Sequence, residues 1–292
     1  MNMPIHRFKY LSLLLIICSI ADCETVQPST ALPGHCSVLA VYYPYRISRF
    51  PVETFKSNLV PVPEYDNWSI DRIERDISRM LKSGLNGVLM AIEPAELNDS
   101  HKLEMIRTFL VLASNNRVFK VAFLFAPTNQ TQLSKSNVSS FMKRKGLLDY
   151  PSVYKYSDNN VLFFSDKVEL VSTGKPDFIY VKLDLSGKLA TSEQKTAGLI
   201  DYPSIPIVSN YYHVVHVFSG LIANYSDKSQ WLVSRKNGIA FHGNLEHCIK
   251  LSPDVIVISS WNDFSQGSAI ENNMFDDTKM QEILKAFLQK YR

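Results

Sequence analysis

The chain has 292 residues, 46% of them hydrophobic, and a formal net charge of +3. That length suits one large core, and near-balanced charge leaves no electrostatic footprint for nucleic acid. The sequence contains no Gly-x-Ser-x-Gly, no phosphate-cradling glycine loop and no Cys-x-x-Cys pair, which sets aside serine hydrolases, nucleotide enzymes and zinc ribbons. His213, His216 and His242 lack tight ligand spacing, so no metal is expected, and no cofactor.

Residues 1–21 read as a secretory signal: His6, Arg7 and Lys9 precede an apolar run, and Ser19, Ile20 and Ala21 supply a small-residue cleavage site. A lipoprotein reading through Cys23 competes, although Asp22 fits it poorly. No later run is long and apolar enough for a membrane helix, so a secreted protein with no membrane span after cleavage is expected. Residues 22–36, with two prolines and a glycine, read as a disordered leader, and 37–292 as one domain.

Ser37–Tyr43 reads as the first strand and ends in Tyr42, Tyr43, Pro44 and Tyr45. After an irregular loop over 46–64, Ser69 caps a helix whose Ile70, Ile73, Ile77, Met80 and Leu81 recur at helical spacing, with Gly84 as its stop. Gly87–Ile92 is an apolar strand delivering Glu93, Ser100–Arg117 a second amphipathic helix, and Lys120–Phe125 a third strand. A polar loop over Thr128–Ser139 leads to a short helix at Ser140–Leu148. Strands follow at Val161–Phe164, Phe178–Leu183, Ile205–Ser209, Gly238–Phe241 and Val255–Ser260. Helices are expected at Asp166–Ser172, Gly187–Leu199, Val214–Ala223, Lys228–Arg235, Asn244–Leu251 and Asp276–Tyr291.

Apolar strands alternating with helices predict the α/β class, as a single (β/α)8 TIM barrel. Such a barrel carries its chemistry where the strands end. The polar strand ends are Tyr42 and Tyr43, Glu93, Asp184, Asn210 with Tyr211 and Tyr212, His242, and Trp261 through Gln266. Barrel closure also brings Cys36, before the first strand, near Cys248, before the last. A Cys36–Cys248 disulfide is expected, with Cys23–Cys36 as the competing pair. Asn-x-Ser/Thr sequons at Asn67, Asn98, Asn129, Asn137 and Asn224 allow a glycoprotein.

The last strand is the most informative stretch. Val255 to Ile258 is a fully apolar β-branched run, and Trp261-Asn262-Asp263-Phe264-Ser265-Gln266-Gly267 then crowds polar groups and an indole onto its end. This run resembles the strand-end signature of glycoside hydrolase family 99 and its relative family 71. Val41-Tyr42-Tyr43-Pro44-Tyr45, Tyr65-Asp66-Asn67-Trp68 and Tyr150-Pro151-Ser152-Val153-Tyr154-Lys155-Tyr156 are supporting matches in the same order. The resemblance implies a secreted barrel acting on α-linked, mannan-type glycans, as endo-α-mannosidases do. It implies that Asp263 engages the sugar 2-hydroxyl. It also marks a departure: the family's general acid and base falls at Gln266, and an amide has no proton to donate.

Two functions therefore stay open, a hydrolase that recruits another acid and a catalytically inactive carbohydrate-binding relative, each with a glycan or polysaccharide as partner. Asp263 and Glu93 are the catalytic candidates, Glu93 replacing the missing acid. Gln266, Asn262 and Glu271 are candidate hydrogen-bonding contacts to sugar, with His242 beside them. Trp261, Tyr42, Tyr43 and Tyr211 are candidate aromatic platforms.

Overall fold

The computed structural model describes residues 31–44, 68–127, 131–165, 168–171, 178–183, 205–209, 212–225, 228–233, 235–264, 267–273 and 276–292. The signal stretch, Cys23, Asn67, Asn129, Asp184, the expected helix at 187–199, Asn210, Tyr211 and Gln266 lie outside them.

The first half alternates strand and helix as expected: β1 (Ser37–Tyr42), α1 (Ile70–Lys82), β2 (Gly87–Ile92), α2 (Ser100–Ser114) and β3 (Lys120–Phe125). Local signals explain the boundaries. The Ser69 hydroxyl accepts from the Arg72 N–H at 3.3 Å at the start of α1, and Gly84 takes φ +88° just past its end, a conformation only glycine adopts at no cost. The Asp99 carboxylate caps α2 through the N–H groups of His101 and Lys102.

The second half is richer in strands than expected. It comprises β4 (Thr131–Ser134), α3 (Lys135–Arg144), β5 (Lys155–Tyr156), β6 (Asn159–Ser165), β7 (Val168–Val171), β8 (Phe178–Leu183), β9 (Ile205–Ser209), β10 (Tyr212–Phe218), β11 (Leu221–Tyr225), β12 (Lys228–Val233), α4 (Ile239–Lys250), β13 (Val255–Ser259) and α5 (Lys279–Tyr291). Four expectations are corrected here. Residues 166–172, 214–223 and 228–235, read as helices, carry β7, β10 with β11, and β12. Gly238–Phe241, read as a strand, is instead a left-handed Gly238 followed by the first turn of α4.

The main sheet runs β8, β6, β3, β2, β1, β13, β10, β9, with β5 also on β6. Pairing from β8 to β10 is parallel throughout. Its last member, β9, is antiparallel to β10, a departure from a uniformly parallel barrel. The end strands β8 and β9 come within 8 Å, Cα to Cα, with no ladder between them. β11 with β12, and β4 with β7, form separate two-stranded sheets.

Alternation along the strands separates two cores. Leu39, Val41, Leu89, Ala91, Ala122, Leu124, Val161, Phe163, Val214, Val255 and Val257 pack together on the concave side. Val38, Ala40, Tyr42, Val88, Met90, Phe123, Ile256 and Ile258 pack outward against the helices. Leu32 and Cys36, inside the stretch read as a disordered leader, are buried in this outer layer. The Leu32 N–H donates to the Tyr291 carbonyl at 3.0 Å, tying the segment to the end of α5.

Candidate functional site at the end of the last strand

β13 lies between β1 and β10, so the segment after it lands among the C-terminal ends of the central strands. Residues 260–264 and 267–271 fold back on one another and bond mainly among themselves. The Ser260 hydroxyl accepts from the Asp263 N–H at 2.8 Å and lies 3.0 Å from the Ser268 hydroxyl. The Ser260 N–H donates to the Ser268 carbonyl at 2.7 Å, and the Ser268 N–H to the Asp263 carbonyl at 3.2 Å. Gly267, at φ +68°, makes the reversal possible. The Ser259–Ser260 peptide bond at its entrance is cis.

Toward β1 the turn is fixed by a two-point clamp. The Asn262 amide accepts from the Tyr43 N–H at 2.8 Å and donates to the Tyr43 carbonyl at 2.9 Å. Beside it the Trp261 N–H donates to the Val41 carbonyl at 2.7 Å. The side chain of Asn262 thus extends the parallel ladder by one rung, which makes its role structural. Asp263 is 1% exposed.

Tyr43 and Glu93, both partly exposed, continue the concave-side alternation of β1 and β2 beyond Val41 and Ala91. Ile92 pairs with Phe125 and Phe125 with Phe164. One residue further, this register sets Glu93 in a row with the short side chains of Ala126 and Ser165. The Glu93 N–H is held by the Glu96 carboxylate at 2.8 Å.

Four expected site residues lie elsewhere. Tyr42 has the opposite parity from Tyr43 and is wholly buried behind the sheet. There its hydroxyl donates to Asp76 at 2.8 Å and receives the Trp68 indole N–H at 2.8 Å, while its ring packs on Phe109 at 5.4 Å. The Trp261 indole joins the same outer core with no exposed surface, so neither ring offers a sugar platform. Glu271, also 0% exposed, lies 4.0 Å from the Arg79 guanidinium and turns to α1 rather than to the mouth. His242 is exposed on α4, 3.5 Å from Glu246, because the strand expected to carry it to the mouth is a helix.

Behind the sheet, Asp76 gathers Arg72 at 3.4 Å and Arg75 at 3.9 Å. Burial raises its carboxyl above the ordinary aspartate range, against the pull of Arg72 and the Tyr42 hydroxyl. Two groups not anticipated from sequence face the concave side or brace it. His216 on β10 is 3% exposed, lies 2.7 Å from the Ser259 hydroxyl and packs on Phe218 at 4.4 Å. The β-branched run around it was the available signal. The second is Arg235, 2% exposed and 2.6 Å from Asp276.

Cys36 and Cys248 both stand as buried thiols, so the expected disulfide between them is not formed. The Cys248 sulfur is 3.1 Å from the Asn244 carbonyl, one turn back along α4. The sequons at Asn98 and Asn137 are exposed. Among the described residues no group of three His, Cys, Asp or Glu side chains could hold a metal ion, and no helix is long and apolar enough to cross a membrane.

No protein-family profile matches the chain, and no curated protein matches it in sequence. Solved structures do match it in shape. An endo-α-mannosidase of glycoside hydrolase family 99 from Bacteroides thetaiotaomicron, in complex with BIS-TRIS propane, superposes with a TM-score of 0.63 at 14% identity, covering 89% of this chain and 98% of that one. A second structure of the family 99 enzyme from that organism gives 0.62 at 15% identity, covering 89% and 97%. A glycoside hydrolase-like protein gives 0.57 at 11% identity, covering 91% and 95%. The chain therefore has the fold of the family 99 endo-α-mannosidases along most of its length.

Proposed function

We propose that this protein is a secreted glycan-binding relative of the family 99 hydrolases, a (β/α)8 barrel that takes an α-linked, mannan-type chain at its C-terminal mouth, with Asp263 against the sugar. Hydrolysis is absent or greatly reduced. The observation that carries this reading concerns the missing proton donor. Gln266 stands at its position in the sequence, and Glu271, a carboxylate that could have replaced it, is buried behind the sheet beside Arg79. Loss of a general acid costs about 10²- to 10⁴-fold in rate, while hydrogen bonding to sugar hydroxyls survives.

The place of Glu93 favours a second reading, an active hydrolase. It follows β2 with concave-side parity, in a row with Ala126 and Ser165, whose short side chains leave room before it. A glycosidase needs two carboxyl groups about 5–10 Å apart across the scissile bond, and Asp263 with Glu93 would be that pair.

Calorimetric titration with α-mannan oligosaccharides, paired with hydrolysis assays, separates the two. Binding without turnover by the native protein, with turnover switched on in Gln266→Glu, is the expected result. Native turnover abolished by Glu93→Gln would establish the active enzyme instead. If neither binding nor turnover occurs, the carbohydrate reading is wrong.

A further inference from the structure

The turn that carries Asp263 is anchored differently on its two sides. On the β1 side it is held by the Asn262 clamp and the Trp261 N–H, both fixed to the backbone of a doubly paired strand. On the β10 side its return limb, Gly267 and Ser268, joins no strand ladder among the described residues. What meets it is Arg235, the residue that leads from the β11–β12 hairpin into α4.

Arg235 is 2% exposed. Its Nη1 donates to the Gly267 carbonyl at 3.0 Å and lies 3.5 Å from the Ser219 hydroxyl. That hydroxyl donates to the Ser268 carbonyl at 2.6 Å. The Arg235 Nε lies 2.6 Å from Asp276. Asp276 in turn accepts from the Asn273 amide at 2.7 Å, and the same amide nitrogen donates to the Glu271 carbonyl at 3.0 Å. One guanidinium thus holds the turn directly at Gly267 and, through Asp276 and Asn273, where it leaves at Glu271.

The packing around this bond is close. A Cβ on Gly220 would lie 2.6 Å from the Gly267 carbonyl oxygen and 2.7 Å from the Arg235 Cγ, so glycine there lets the end of β10 close on the contact. A buried arginine without its carboxylate is strongly unfavourable, and Asp276, 7% exposed in its side chain, removes that penalty. The planar fork of arginine reaches an acid and a carbonyl at once; lysine, a single point of charge, does not.

We infer that Arg235 is a positioning residue for the Asp263 turn, fixing its return limb by bridging Gly267 to Asp276. Its effect on the turn stands by itself, whereas its effect on ligand affinity rests on the carbohydrate reading above.

Amide exchange measured by mass spectrometry on the full chain tests it, comparing native protein with Arg235→Gln, Arg235→Lys and Asp276→Asn. The expected result is exchange faster by about tenfold or more in peptides covering 260–271, with 37–42, 87–92 and 120–125 unchanged. Arg235→Lys, which keeps the cation, is expected to accelerate the turn as well, though less than Arg235→Gln. Unchanged exchange in the turn, acceleration spread evenly over those core strands, or full protection restored by lysine would each overturn the inference. Should Arg235→Gln fail to fold, Arg235→Lys and Asp276→Asn decide by the same pattern. Affinity for α-mannan oligosaccharides is expected to fall about tenfold in Arg235→Gln. If the native protein binds none while the exchange pattern appears, the positioning role stands and the carbohydrate reading fails.

Discussion

Burial pushes the Cys36 thiol up to about 12, with nearby Arg292 pulling the other way, so almost none of it is thiolate at neutral pH. Cys248 is wholly buried in the outer core. Both should therefore resist iodoacetamide in the native protein and react fully once it is unfolded without reductant, as peptide mapping would report. Failure of this pair to alkylate after unfolding would mean that a disulfide forms after all. The tyrosines show what was legible at this scale. Tyr42 and Tyr43 are adjacent in a strand, and period-two alternation sends adjacent side chains to opposite faces, so a pair could never have lined one surface. The sequence placed the strand end; it held no sign of which tyrosine faces inward, because either parity of Val38–Val41 is equally apolar. Asn262 was legible as a polar group at the mouth, but not as a clamp, since its partner is the backbone of Tyr43, more than 200 residues earlier.

Helices α4 and α5 meet at Glu246, whose carboxylate accepts from the Tyr291 hydroxyl and lies 3.3 Å from Lys290. The tyrosine hydrogen bond, and then Lys290, hold its carboxyl below the usual glutamate range. A depressed folded value means that the stabilisation is complete above the ordinary glutamate range and is lost as pH falls through the lower, folded value. The group is partly exposed, so its worth is small, under about 1 kcal/mol. Glu246→Gln should lower the melting temperature by only a few degrees at pH 7 and by less as the pH is taken down through the acid range, a trend that thermal denaturation over a pH series would measure. Elements were legible in proportion to their local signals. α1 and α2 carry side-chain caps at Ser69 and Asp99, and both were placed within a few residues. α4 begins at a left-handed glycine with no side-chain cap, so nothing announced it and its first turn read as a strand. The converse error at Val214–Phe218 has a packing cause. This strand lies between two others, and its residues Val214 to Phe218 are buried on both faces, so the alternation that distinguishes strand from helix is erased.

The whole sheet has an interior and a seam. β1, β2, β3 and β13 each have a hydrogen-bonded neighbour on both sides, whereas among the described residues β8 is paired only with β6 and β9 only with β10. Where β8 approaches β9 there is no ladder between them, so among the described residues alternate amides of each strand have no sheet partner on that side. The topology also explains why the seam escaped the sequence. β9 and β10 run antiparallel from Ser209 to Tyr212, so the strand read as one of a parallel set returns immediately along its neighbour. Local openings should therefore start at this seam and spare the region around the Asp263 turn, whose clamp is on β1. Native-state amide exchange should be about 100-fold or more faster in 178–183 and 205–209 than in 37–42 and 255–259. Equal protection in all four segments would mean that the two edges are paired and the sheet is a continuous barrel. The expected gradient would place the β1 clamp of the turn, made by Asn262, on the part of the molecule that opens last.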